Sequence, residues 1–161
     1  MSFQKETNED AIKLHKTELP ENRLKAFKIF EENKCNYWLG YYHEQGYANL
    51  KIDIKKACNY YLLAVLEDNA DAAYRLTAFK LKENTFNTEE EKTFNKLFIT
   101  LLFKKSADLG HIDACFNYDD ILVNGKLENK KDIETGKKYL IRASGKDHEK
   151  AYNLLIKLEK T

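Results

Sequence analysis

His111, Cys115 and Asp119 stand at intervals of four, so a helix over this stretch would carry three possible metal ligands on one face. An imidazole and a thiolate are ordinary zinc ligands, and the carboxylate could complete the set. The register of the neighbouring segments points elsewhere: Cys115 aligns with Asn36, Ala73 and Tyr152, beside a seam of small residues, and reads as a core cysteine. Asp119 and Asp120 are adjacent, which on a helix turns them about 100° apart and spoils a cooperating carboxylate pair. His15, His43 and His148 show no spacing of a Cys/His nucleophile pair, and neither a Gly-rich phosphate loop nor a G-x-S-x-G elbow is present. These residues predict no catalytic centre, no metal and no cofactor.

The elements that carry them are helical. One proline and six glycines in 161 residues leave little room for the turn-rich spacing of a β-protein, while apolar patterns of period 3.6 recur throughout. Small residues that precede an apolar residue by four open "CNYWLG" at Cys35, "AAYRLT" at Ala72, "ACFNYD" at Ala114 and "AYNLLI" at Ala151, at spacings of 37, 42 and 37. That is the period of a stacked helix-turn-helix repeat. The segment "DIKKACNYYLLAV" from Asp53 returns 79 residues later as "DIETGKKYLIRAS" from Asp132, one helix of the repeat written twice.

Local chemistry explains the punctuation. Asp53 and Asp132 sit where a side-chain oxygen can cap a first helical turn. Gly110 and Gly145 follow apolar stretches, where a left-handed closing residue costs least as glycine, and Asn69 is expected to close the first unit in the same way. Ala57 and Gly136 occupy equivalent places, as a close helix crossing requires. In "TEEEKTFNKLFITLLFKKSADLG", Thr88 and Glu91 have capping-box spacing and Glu89, Glu90 and Glu91 favour the helix dipole. The apolar residues then lie on most sides through Phe103, which predicts a central helix with neighbours on several faces; the alternative is a partly exposed self-association surface. "TNEDAIKLHKTEL" predicts a short helix ending before Pro20, which itself suits a helix start.

These residues resemble the Sel-one-like repeats, α/α relatives of the tetratricopeptide repeat. Leu39, Gly40, Gly46, Asp53, Lys56, Ala57, Tyr60, Tyr61 and Ala64 match their pattern, with His43 where an aromatic is usual. Ala114, Gly125, Asp132, Tyr139, Arg142, Ala143 and Gly145 match again, with Tyr118-Asp119 in place of Leu-Gly. Ala72, Leu76, Lys105, Ala107 and Gly110 match more sparsely in a middle unit five residues longer. The resemblance runs from about residue 24 to 158 and implies an all-α, right-handed α/α superhelix of about four helix-turn-helix repeats with an N-terminal capping helix. Residues 1–161 are expected to form a single repeat domain, 1–19 capping and 20–161 repeats. The signature positions are packing and turn positions, so the resemblance carries no catalytic residue.

Composition narrows the partners. Lys and Arg total 27 against 26 Asp and Glu, and only Arg23, Arg75 and Arg142 supply the guanidinium fork that reads guanine and phosphate, which argues against nucleic acid. The longest apolar run, "LFITLLF", is far short of a membrane span. Three cysteines cannot pair completely, and acids at Glu6, Glu9, Asp10 and Glu18 interrupt any leader-like apolar segment, so reduced thiols and a cytoplasmic protein are expected. What remains is a binding surface. In a superhelix of this type the first helix of each unit lines the concave side, where Tyr37, Tyr74, Phe116 and Asn153 are equivalent, with Tyr41, Ala78, Asp120 and Lys157 four residues further on. These eight residues are the expected groove for a peptide or protein partner, with Asp71, Asp113 and Asp120 at its edge; equally, the aromatics could pack between repeats. The expected function is a noncatalytic adaptor or scaffold, a monomer or weak homodimer. The alternative is a dedicated inhibitor or immunity-type protein that neutralises one enzyme or toxin, and a weaker one is an enzyme using the His111 cluster.

Overall fold

A computed structural model describes residues 6–145 and 149–159, with the side chains of 154 and 157–159 outside the description. The described residues form nine helices: α1 (Asn8–Lys16), α2 (Pro20–Glu32), α3 (Asn36–Gln45), α4 (Ile54–Leu66), α5 (Ala70–Lys82), α6 (Glu89–Asp108), α7 (Ile112–Asn124), α8 (Ile133–Ser144) and α9 (Glu149–Glu159). They group into two compact units, Met1–Glu67 and Asp68–Thr161. In the first, α1 packs on α2 and α3 on α4; in the second, α5 packs on α6, α6 on α7, α7 on α8 and α8 on α9.

Helix starts follow the side-chain oxygens in the sequence. Asp53 accepts from Lys56 N at 2.9 Å, Asp132 from Thr135 N at 3.0 Å and Thr88 from Glu91 N at 3.1 Å. Glu91 reaches back to Asn87 N at 2.7 Å, one residue earlier than a full capping box. Thr7 and Asp10 close a complete box at the start of α1, and Pro20 opens α2. Asn69 departs from expectation: its side chain caps α5 by accepting from Ala72 N at 2.8 Å, and the left-handed residue before it is Asp68, with φ 59°. Gly110 closes α6 with φ 94°, but Gly145 is right-handed at φ −70° and uses none of glycine's freedom.

The 79-residue echo extends to the backbone. Gly46 and Gly125 end α3 and α7 in the left-handed region, Ala48 and Asn49 are matched by Leu127 and Glu128 at positive φ, and Asp53 N donates to His43 O as Asp132 N does to Leu122 O, both at 2.9 Å. His43 fills the aromatic position by stacking on Tyr60, ring centroids 5.6 Å apart.

One core cluster in the first unit joins Ala11, Ala26, Phe27, Ile29, Phe30, Leu39 and Tyr42. One in the second joins Ile99, Phe103 and Ala107 to Ala114, Cys115, Tyr118, Ile121, Leu122, Tyr139, Leu140, Ala143 and Ala151. The expectation that α6 has neighbours on several faces holds in part: α6 packs on α5 and α7 but leaves one stripe bare. Ile99, Leu102, Phe103, Ser106 and Ala107 are buried, while Phe94, Leu97 and Leu101 are 70%, 47% and 62% exposed.

Candidate binding site

The residues expected to line a groove fall in both units. In the first unit Tyr37 and Tyr41 lie one turn apart on α3, both half-buried. Tyr41 meets the rings of His15, Trp38 and Tyr47 at centroid distances of 5.7, 5.6 and 5.8 Å. Tyr37 meets Trp38 and the buried Tyr61 at 5.5 and 6.1 Å. This aromatic nest seats α1: His15 Nδ1 lies 3.1 Å from Tyr42 Oη, and the Arg23 guanidinium rests 4.0 Å over the Tyr47 ring. Burial, reinforced by the charge of Arg23, holds the His15 imidazole below its usual pKa. Burial also pushes the Tyr42 phenol up to about 12.

In the second unit the helical period brings Tyr74, Ala78 and Leu81 onto one face of α5, and Asp113, Asn117 and Asp120 onto one face of α7. Asn117 Nδ2 donates to Tyr74 Oη at 3.3 Å, and the Tyr74 ring stacks on His111 with centroids 4.2 Å apart. Burial, with the charge of Asp113, raises the Tyr74 phenol, and Asn117 partly offsets this. Phe116, the register equivalent of Tyr74, is half-buried and packs against the core cluster of its unit. Ala78 and Asn153 are exposed, and the side chain of Lys157 lies outside the described residues.

Beyond Asn117 the two faces meet at a cavity of about 250 Å³ lined by Leu81, Phe103, Asn117, Asp120, Ile121, Lys126 and Leu127. Its lining is mainly apolar. Asp120 accepts from Lys126 Nζ at 2.6 Å and Asn124 Nδ2 at 2.8 Å, so a fixed carboxylate marks one edge. Leu127 reaches the cavity from a left-handed backbone at φ 54°, which costs a leucine about 1 kcal/mol. Of the cavity residues, sequence register had singled out Asp120 alone. Leu81, Phe103 and Leu127 come from three separate elements, and no local pattern links them.

His111, Cys115 and Asp119 do lie one turn apart, each held by the fold. His111 caps α7, accepting from Ala114 N at 3.3 Å, and its Nε2 lies 3.6 Å from Asp71. The Cys115 thiol donates to Ala107 O at 3.5 Å in the core. Asp119 is 2% exposed, and its Oδ1 has no hydrogen-bond partner among the described residues. Burial, then the charge of Asp120, pushes its carboxyl up to about 6. Among the described residues no group of three His, Cys, Asp or Glu is arranged to hold a metal, and no helix is long and apolar enough to cross a membrane.

No family model matches the chain. A stretch of 107 residues is 26% identical to chitin synthase regulatory factor 3 of Schizosaccharomyces pombe; it covers 66% of this chain but 11% of that protein. The crystal structure of a Sel1 repeat protein from Oxalobacter formigenes superposes with a TM-score of 0.68 at 16% identity, over 89% of this chain and 58% of that one. Helix pairs at the sequence period, repeated caps and left-handed turns 79 residues apart, and this superposition agree: the chain has the fold of the Sel1 repeat proteins.

Proposed function

We propose that the chain is a noncatalytic protein-interaction module that takes a segment of another protein on the α5 and α7 faces of its second unit. The observation that carries this reading is the apolar cavity edged by Asp120. At about 250 Å³ it lies below the range of small-molecule sites, and it suits one apolar side chain of a peptide. Tyr74 and Ala78 extend the same surface along α5, and the Asp120–Lys126 ion pair closes one edge of the anchor site. The segment therefore offers one apolar side chain as its anchor, held by burial. Tyr37 and Tyr41 enter the proposal as a second contact surface of the same kind.

Capture of partners from the native host, followed by calorimetry with the recovered partner, tests this reading. Leu81 is 53% exposed, so Leu81→Asp is expected to leave the melting temperature unchanged and to weaken binding by tenfold or more. Unchanged affinity would overturn it. A second reading is a protein that holds and restrains one enzyme. It draws on the similarity to chitin synthase regulatory factor 3 of Schizosaccharomyces pombe, and would use the same surface.

A further inference from the structure

α6 presents a second surface, turned away from the cavity. Glu90, Phe94, Leu97, Leu101 and Lys104 follow one another at intervals of four, three, four and three, the spacing of a coiled-coil seam, and all are exposed. Phe94 and Phe98 stack along it with ring centroids 6.3 Å apart and an interplanar angle of 6°. Three large apolar side chains on one exposed stripe of a 20-residue helix call for a partner. The charges at its two ends are opposite. The first turn carries Glu89, Glu90 and Glu91, and Lys104 and Lys105 stand near the other end, ahead of the closing Asp108.

Both properties are arranged symmetrically about the Leu97–Phe98 step. Phe94 and Leu101 stand equally far from it on either side, as do Glu90 and Lys105, and Glu91 and Lys104. A helix with this layout is complementary to itself run backwards. We infer that α6 pairs antiparallel with α6 of a second copy of this chain, the two-fold axis passing near Leu97 and Phe98. Phe94 of each copy then packs beside Leu101 of the other, and the acidic first turn of each meets Lys104 and Lys105 of the other. A two-fold contact has this isologous form, in which one patch serves both subunits.

The intrachain ion pairs do not consume this complementarity. Lys104 pairs with Asp108 at 2.6 Å and Lys105 pairs with Asp68, yet both lysine side chains remain more than 40% exposed. Lys92 lies 3.6 Å from Glu89, while Glu90, on the stripe, has no ion pair among the described residues. A second copy supplies both the apolar face and the missing cations. The seam is one helix wide and smaller than the roughly 800 Å² per partner of a standard interface, so the pair is weak and concentration-dependent.

Sedimentation equilibrium on the full chain, from micromolar to roughly 1 mM, tests this. Wild type is expected to move from monomer to dimer over that range. Leu101→Lys is expected to remain monomeric with an unchanged melting temperature, the site being 62% exposed. Glu90→Lys and Lys105→Glu are each expected to weaken the dimer by roughly tenfold through like-charge contacts, and the double variant is expected to recover it. A wild type that stays monomeric throughout, including one whose α6 face instead binds another protein, overturns the proposal. A dimer indifferent to Leu101→Lys, or a double variant no better than the singles, overturns it as well.

Discussion

At Gly40 an added Cβ would lie 2.8 Å from the Tyr61 ring and 3.2 Å from Ala57 O. Tyr61 is fully buried and its hydroxyl donates to Glu44, so the ring has nowhere to swing. The crossing of α7 and α8 solves the same problem in reverse. Asp119 stands where Gly40 stood, Gly136 replaces Ala57, and Leu140 replaces Tyr61, so the small residue has moved to the partner helix. Its absent side chain is needed there, because a Cβ on Gly136 would meet Val123 at 2.7 Å and Asp119 Oδ1 at 3.0 Å. Gly40→Ala is expected to destabilise the protein by about 1 to 3 kcal/mol of overpacking, less the roughly 1 kcal/mol that alanine gains over glycine in a helix. Chemical denaturation measures it, and a stabilised variant would contradict the crossing. Asp119 has a second consequence. Its carboxyl titrates at about 6 in the fold and near 3.9 when unfolded, so below pH 4 both states hold the proton and nothing is lost. As pH rises from 4 to 6 the unfolded chain releases its proton first. Stability therefore falls relative to Asp119→Asn, by on the order of 2 to 3 kcal/mol, and the gap stays constant above about pH 7. A gap independent of pH would show that Asp119 ionises normally.

At the scale of elements, what the sequence discloses is what is local. The caps at Asp53, Asp132 and Thr88 need only a side-chain oxygen within three residues of an amide, and each forms, though Glu91 returns to Asn87 and leaves the Thr88 box half closed. Asn69 and Gly145 misled because a helix end offers several positions to the closing residue. Asp68 took the left-handed one, freeing Asn69 to cap the next helix. The apolar sides of α6 were legible but their coverage was not, since Phe94 and Phe103 look alike until the neighbours are placed. The cavity was beyond reach for the same reason: Leu81 and Leu127 meet only after α5, α6 and α7 have packed. The docking of α1 through His15 was likewise invisible, and it carries a pH dependence of opposite sign to that of Asp119. The folded His15 pKa is depressed, so its contribution is present above the unfolded value near 6.5 and is lost as pH falls below it. After correction for intrinsic rates, hydrogen exchange of the α1 amides is expected to be faster at pH 5.5 than at 7.5. His15→Phe, which keeps a ring in the nest without the titration, is expected to remove that difference; its persistence would assign the acid response to another group.

For the molecule as a whole the open issue is whether the aromatics at the register positions hold a partner or hold the fold, and Tyr74 decides it for the second unit. Its ring lies on His111 at 4.2 Å, edge-on to Phe103 at 6.3 Å, and half-buried, so it has both a packed side and a presented side. If the presented side meets a partner segment, Tyr74→Ala is expected to cost about 2 kcal/mol or more of binding, roughly thirtyfold in affinity. The expected loss of stability is smaller, because the residue is already partly in water. If the packed side dominates, truncation leaves a hole between His111 and Phe103 and costs about 3 to 5 kcal/mol of folding. Melting curves and calorimetry on the same preparation separate the two, provided binding is measured where the variant is folded. Tyr74→Phe sharpens the comparison: it keeps the ring and removes the bond from Asn117. It is expected to bind as wild type if ring burial is the source of affinity. A variant Tyr74→Ala that melts far earlier than wild type yet binds with full affinity would make Tyr74 a packing residue and confine recognition to the cavity at Leu81, Asp120 and Leu127.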